Sequence, residues 1–262
     1  MGAAEPTILV AREGHIATVT LNRLASRNAL SRRLTSELLV TLEDLAGDAA
    51  LRALIITGAG ERAFCAGADL LERQSMTPAE LTAHTAMINR AADALAAFPV
   101  PTIAAIRGYA LAGGAELAIA CDLRVAGEDA VLGYPEVKIG VFPGAGGVVR
   151  LPRLVGAGVA RDLLYSGRQV RAEEALRLGL IDRLVPSDEV LLAAQALAEE
   201  IAANAPLAIR ALKRALVESA GLPETQAHAV VGRHRQPLDA TADYREGLSA
   251  FAERRRPAFR GA

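Results

Sequence analysis

Apolar residues along this chain alternate, then fall at helical spacing, then alternate again. Positions 7–11 and 16–21 (Thr-Ile-Leu-Val-Ala and Ile-Ala-Thr-Val-Thr-Leu) flank a Glu13-Gly14 turn, a pattern that predicts a β-hairpin. Leu34, Leu38, Leu42 and Leu45 share one helical face behind Ser31, which suits an N-cap, and Gly47 marks the stop. The run 51–57, closed by Gly58, predicts a buried strand. Thr77-Pro78-Ala79-Glu80 places an N-cap, a first-turn proline and a capping-box glutamate in order, so a long helix is predicted from there to about Phe98, before Pro99. Strands are predicted over 102–106 and 123–126, with a short one near Val131-Leu132, and a helix from Gly113 to Cys121. Strands alternating with helices imply an α/β fold with a mainly parallel sheet.

Beyond Val185-Pro186 the pattern turns wholly helical, with breaks at Ala205-Pro206, Gly221-Leu222-Pro223 and Gln236-Pro237. The expected organisation is an α/β core over 1–186 and a helical region over 187–262, which packs on the core or on a neighbouring subunit. The helical breaks have no fixed period, so a solenoid is excluded.

With 262 residues, 52% hydrophobic and 23% charged, the chain has ample material for a core and no case for disorder. Its 29 basic residues face 30 acidic ones, which gives no electrostatic footprint for nucleic acid. Lys138 and Lys213 are the only lysines, so arginine supplies nearly all the positive charge. Residues 231–262 are locally basic, with seven arginines against four acids. No apolar run is long enough to span a bilayer, and the N-terminus lacks the pattern of a secretory leader. Cys65 and Cys121 make neither a disulfide framework nor a zinc site. The expectation is a cytoplasmic protein that contacts no membrane and holds no metal.

Two glycine-rich stretches could carry chemistry. Residues 63–70 (Ala-Phe-Cys-Ala-Gly-Ala-Asp-Leu) and 108–117 (Gly-Tyr-Ala-Leu-Ala-Gly-Gly-Ala-Glu-Leu) each follow a strong strand and precede a helix. Such loops either aim two backbone N–H groups at one developing oxyanion or simply allow tight strand–helix packing. Neither is a nucleotide-binding fingerprint. Glu116 lies about one turn into its helix, where it serves the helix dipole or a reaction. Glu136 sits near apolar Ile139 and Val141, so it is either paired with Lys138 or Arg124 or pushed to a raised pKa, as acid–base catalysts are. Two carboxylates beside two candidate oxyanion donors make a coherent constellation.

Over nearly its whole length the chain resembles the enoyl-CoA hydratase/isomerase (crotonase) superfamily. The resemblance rests on Asn28-Ala29-Leu30, on 63–70, on 99–106, on 113–122, on Pro135-Glu136-Val137-Lys138-Ile139-Gly140, on 143–147 and on 251–257. It implies a spiral of β-β-α units with a C-terminal helical trimerisation region, assembled as a homotrimer or homohexamer. Ala68 and Gly113 match the backbone donors that hold a thioester oxygen, Glu116 and Glu136 the two glutamates of hydratases, and Gly144 a residue whose backbone helps hold the water. The implied activity is a carbon–oxygen lyase of fatty acid metabolism that adds water across a 2-enoyl-CoA. It needs no cofactor, since coenzyme A is part of the acyl-CoA substrate. The alternatives are a Δ3-Δ2 enoyl-CoA isomerase, a methylglutaconyl-CoA hydratase-like activity and, disfavoured by the neutral charge balance, RNA binding.

Ala66, Asp69, Leu70, Arg23, Arg27 and Arg254 are the expected CoA contacts, the last across a subunit boundary. Where many members carry lysine two residues after the loop aspartate, this chain has Leu71. The stretch 71–76 is similar to that of methylglutaconyl-CoA hydratases, where an arginine can meet a substrate carboxylate. Arg73 is expected here on the surface, which favours short straight enoyl chains; pointing inward, it would favour branched or acidic ones. His15, His84, His228 and His234 are expected to be structural or surface residues.

Overall fold

The computed structural model of the chain describes residues 5–262. Strands β1 (Ile8–Glu13) and β2 (Ile16–Leu21) form the expected antiparallel hairpin. Parallel to β2 run β3 (Ala53–Gly58), β5 (Thr102–Ile106), β7 (Leu123–Gly127) and β10 (Arg183–Val185), giving a six-stranded sheet in the order β1-β2-β3-β5-β7-β10. A second sheet accompanies the mainly parallel one expected from the sequence. Short strands β4 (Ala63–Cys65), β6 (Tyr109–Leu111), β8 (Val131–Gly133) and β9 (Gln169–Arg171) make a four-stranded sheet in that order. From β3 to β8 successive strands alternate between the large and the small sheet, the β-β-α spiral that the resemblance implies.

Helices α1 (Arg32–Ala46), α2 (Leu70–Arg73), α3 (Pro78–Ala96) and α4 (Gly113–Ala120) follow the early strands. Ser31 caps α1 by accepting from the Leu34 N–H, and Thr77 with Glu80 closes a capping box on α3, which ends just short of the expected Phe98. Every residue of α4 is buried, so this short apolar helix is the central pillar between the two sheets. Helices α5 (Gly147–Val155), α6 (Ala157–Ser166) and α7 (Ala172–Arg177) complete the core.

Strand β3 shows how the layers form. Leu54 and Ile56 enter the main core with Leu34, Leu38, Leu95 and Leu117, whereas Ala53 and Ile55 face the opposite way. That opposite face is covered by Val190, Ala194 and Leu197 of α8 (Val190–Ala202). A strand buried on both sides must be apolar throughout, as β3 is. Thus the first helix of the C-terminal region packs on the sheet. Helices α9 (Pro206–Ser219), α10 (Glu224–Arg235) and α11 (Ala242–Glu253) follow. Lys213 of α9 is tied back by a 2.6 Å ion pair to Asp122 and a hydrogen bond to the Val100 carbonyl. Among the described residues, no helix is long and apolar enough to cross a membrane.

Candidate active site

The two glycine-rich stretches meet face to face. A Cβ at Gly67 would lie 2.8 Å from the Ala112 Cβ and 3.3 Å from the Gly113 nitrogen, so only glycine lets the loops approach. Gly114 has no room for a side chain either, because its Cβ would overlap the Cys65 carbonyl. This contact clamps the start of α4 onto β4. Ala112 is held at φ 51°, a region that favours glycine, immediately before the Gly113 donor. Among the described residues, neither the Ala68 nor the Gly113 N–H has an acceptor. Both residues line one cleft of about 570 Å³. Acceptor-free N–H groups on residues that line a cleft are the raw material of an oxyanion hole.

Glu116 and Glu136 line the same cleft from different elements. Glu116 projects from α4 and is 2% exposed. Its Oε1 accepts from the Ala145 N–H at 2.7 Å and from the Gly147 N–H at 2.8 Å. A Cβ at Gly147 would come within 2.9 Å of that oxygen, so glycine there makes space for the carboxyl group. Arg150 steadies the loop by donating to the Ala145 carbonyl at 3.0 Å. Burial raises the Glu116 pKa, while the two N–H bonds and the Arg150 charge oppose that rise.

Glu136 sits in a 3-10 turn, Pro135–Ile139, directly after β8 and Tyr134, and is 8% exposed. Its Oε2 is buried with no hydrogen-bond partner among the described residues. Burial lifts its pKa to about 7, its own N–H opposes this, and the Glu116 charge adds to it. Of the two readings open from the sequence, pairing is the one that fails. Arg124 bonds Asp182 at 2.6 Å, and exposed Lys138 makes no ion pair with Glu136. Tyr134 is fully buried, and burial followed by the two glutamate charges keeps it a neutral phenol.

The family model for enoyl-CoA hydratase/isomerase matches residues 11–262. The chain belongs to the enoyl-CoA hydratase/isomerase family. A short-chain-enoyl-CoA hydratase of Clostridium acetobutylicum is 36% identical over 249 residues, covering 95% of each chain. The human mitochondrial enoyl-CoA hydratase domain-containing protein 2 is 42% identical over 250 residues, 94% of this chain and 86% of that one. The crystal structure of an enoyl-CoA hydratase from Bacillus anthracis superposes with a TM-score of 0.96 at 40% identity, covering 98% of this chain and all of the other.

Enzymes of the enoyl-CoA hydratase/isomerase family act on CoA thioesters, and the residues expected to touch CoA are placed unevenly. Ala66 and Leu70 line the cleft. Gly144 lines it too, although the N–H groups that grip Glu116 belong to Ala145 and Gly147, donors the sequence reading did not single out. Asp69 is buried, caps α2 through the Glu72 N–H, and holds Arg23 in a 2.8 Å ion pair. Arg23 also donates to the Ala29 carbonyl, so its free charge is largely spent. Arg27 lies over the Tyr109 ring, and with Arg23 and Arg62 it lines a second, open groove. Leu71 is 79% exposed. Arg254 is exposed at the end of α11 and lines neither groove of this subunit.

Arg73 overturns the surface expectation. It is half-buried and lines the cleft with Thr85 and Ile88 of α3. His84, buried as a structural residue should be, lies within 3.4 Å of the Arg73 Nε, a contact that no spacing rule indicates.

Proposed function

We propose that this chain is a 2-enoyl-CoA hydratase. The observation that carries the proposal is the pairing of two buried glutamates in different bonding states on one cleft that also holds two acceptor-free N–H groups. The thioester carbonyl would rest on the Ala68 and Gly113 N–H groups. As charge moves from Cβ toward that oxygen, the two donors stabilise the enolate more than the neutral substrate, and loss of one such donor typically costs about 3 kcal/mol.

Glu116 suits the base. Burial raises its pKa, but two N–H bonds on Oε1 favour the carboxylate, which leaves the other oxygen to take a proton from water as the water oxygen bonds to Cβ. Glu136 suits the acid, because a carboxyl group with a pKa of about 7 keeps a proton near neutrality and can deliver it to Cα. Water is thereby added across the double bond, and a proton then passes from Glu116 to Glu136 to restore the starting state. The two groups titrate as a coupled pair, so the exchange of their roles is the variant of this scheme.

The family also hosts isomerases, whose single proton shuttle between Cα and Cγ needs no second carboxylate. Hydration is favoured by Glu116, since its grip on two loop N–H groups would be superfluous to an isomerase. The exposed Leu216, Leu248 and Phe251 on the C-terminal helices support a homotrimer or homohexamer.

The test is to follow loss of the conjugated thioester absorbance of crotonyl-CoA, with 3-hexenoyl-CoA as the isomerase substrate. The wild type is expected to hydrate crotonyl-CoA, and Glu116→Gln and Glu136→Gln each to lower turnover by ~10²–10⁴-fold while remaining folded. Inactivity on 2-enoyl-CoAs together with conversion of the 3-enoyl substrate would replace the hydratase by the isomerase.

A further inference from the structure

The turn that grips Glu116 is itself held from behind. Within 145–147 the Ala145 and Gly147 N–H groups converge on one oxygen of Glu116. Gly146 between them adopts φ 97°, a left-handed conformation that turns alternate N–H groups to one side and cradles an anion. The Ala145 carbonyl is taken by Arg150, whose Nη1 donates to it at 3.0 Å. A Cβ at Gly146 would overlap that same nitrogen, so the guanidinium lies directly against the turn. The Arg150 N–H closes the arrangement by donating to the Gly146 carbonyl at 2.7 Å.

Helix α3 fixes the guanidinium from the other side. Its Asp93 carboxylate accepts from Arg150 Nη2 at 2.5 Å. Arg150 is 21% exposed and Asp93 67%, so this pair contributes little to stability and matters for where it holds the guanidinium. Earlier on α3, Thr85 meets the same loop, since a Cβ at Gly144 would lie 3.4 Å from its Cγ2. The helix whose Thr85 and Ile88 line the cleft thus buttresses the catalytic loop at two points.

Arg150 is also the cation whose charge bears on Glu116. Of the groups on neighbouring elements, Glu136 and Tyr134 bring no positive charge, and burial keeps Cys65 of β4 and Cys121 thiols, each pushed up to about 12. Burial and then the Arg73 charge lower the pKa of His84 on α3, which leaves it neutral. Arg124 of β7 is committed to Asp182, and Arg90 of α3 and Lys138 are exposed.

We propose that Arg150, anchored by Asp93, is a positioning residue that holds the 145–147 turn on Glu116 and so fits Glu116 to act as the base. A lysine would supply the charge but not the planar fork that reaches Ala145 and Asp93 together. This inference rests on the hydratase reading above.

The experiment follows crotonyl-CoA hydration against pH for the wild type, Arg150→Met, Arg150→Lys and Asp93→Ala. Beside it, ¹³C NMR titrates the Glu116 carboxyl group, whose resonance is the one lost in Glu116→Gln. In Arg150→Met the acid limb of kcat and the Glu116 titration should both move to higher pH by about 1. At pH 7 kcat should fall by ~10-fold or more, with KM changed by less than about 3-fold, because the turn acts on the base and not on bound substrate. Arg150→Lys should recover part of the shift, and Asp93→Ala should show a smaller one in the same direction. A merely structural role would lower the unfolding midpoint and leave both titrations in place. Titrations of Arg150→Met that superpose on the wild type overturn the assignment. Should that variant fail to fold, unmoved titrations in both Arg150→Lys and Asp93→Ala overturn it equally. A wild type that leaves crotonyl-CoA unhydrated overturns the hydratase reading instead, and the NMR titration then decides the effect of Arg150 on Glu116 by itself.

Discussion

A carboxyl group with one oxygen left unpartnered is costly to bury, and Glu136 is such a group. Its folded pKa of about 7 lies above the 4.5 of a free glutamate, so between those values the folded chain binds a proton that the unfolded chain does not. Stability from this group is therefore complete below about pH 4.5 and is lost as pH rises through 7. Glu136→Gln is expected to raise stability at pH 8 by ~1–3 kcal/mol and to change it little at pH 4. Urea denaturation at the two pH values checks this, and an equal shift at both would refute it. The same proton governs the reaction. If Glu136 is the acid for hydration, kcat/KM for crotonyl-CoA falls as pH rises above about 7, and it falls on the acid side as Glu116 takes up a proton. A profile flat from pH 6 to 9 would remove Glu136 from that role.

At the scale of elements, function depends on how tightly α4 is pressed on β4. Gly114→Ala puts a methyl group into the Cys65 carbonyl, backbone against backbone, whereas the nearest atoms to a methyl at Gly113 are Leu30 Cδ1 at 3.2 Å and Ile88 Cγ2 at 3.5 Å, both at side-chain ends. Gly114→Ala is therefore expected to cost ~3 kcal/mol or more, and Gly113→Ala about 1 kcal/mol. Thermal unfolding of the two variants measures the difference, and equal midpoints would contradict the clamp. Helices α1 and α3 were legible in the sequence because their signals are local: Ser31, Thr77, Pro78 and Glu80 perform the capping that their types suggest. Of the small sheet only the strand near Val131-Leu132 was legible, because strands of three residues such as Ala63–Cys65 and Tyr109–Leu111 are too short to show a period. For the candidate site, the motifs point to Glu116 and Glu136, but not to the state of either. Arg124 stood as a partner for Glu136 until the fold brought Asp182 to it, and the His84–Arg73 contact crosses the break between α2 and α3.

The whole molecule is held together across the boundary that the helical pattern suggested at residue 186. Helix α8 supplies four of the ten buried residues of the second core, and Arg52 of the α/β region donates to the carbonyls of Ala202 and Phe259. A truncation at 186 would strip Ile55, Ile103 and Val125 of their cover, and such a fragment is expected to aggregate rather than fold. Farther along, Phe251 is 86% exposed, and Leu216 and Leu248 are exposed as well. If these side chains are subunit contacts, light scattering should give the wild type a mass that is a multiple of three chains, and Phe251→Asp should lower it. A wild-type monomer would refute the assembly.

All of this turns on one reacting geometry, with two acids flanking a double bond whose thioester oxygen is held by two N–H groups. The most direct measurement is mass spectrometry of the product formed from crotonyl-CoA in ¹⁸O-labelled water. The expected result is 3-hydroxybutyryl-CoA carrying the label at its hydroxyl, formed by the wild type and nearly absent with Glu116→Gln. A wild-type enzyme that moves double bonds without incorporating the label, or incorporation undiminished in that variant, would contradict the account.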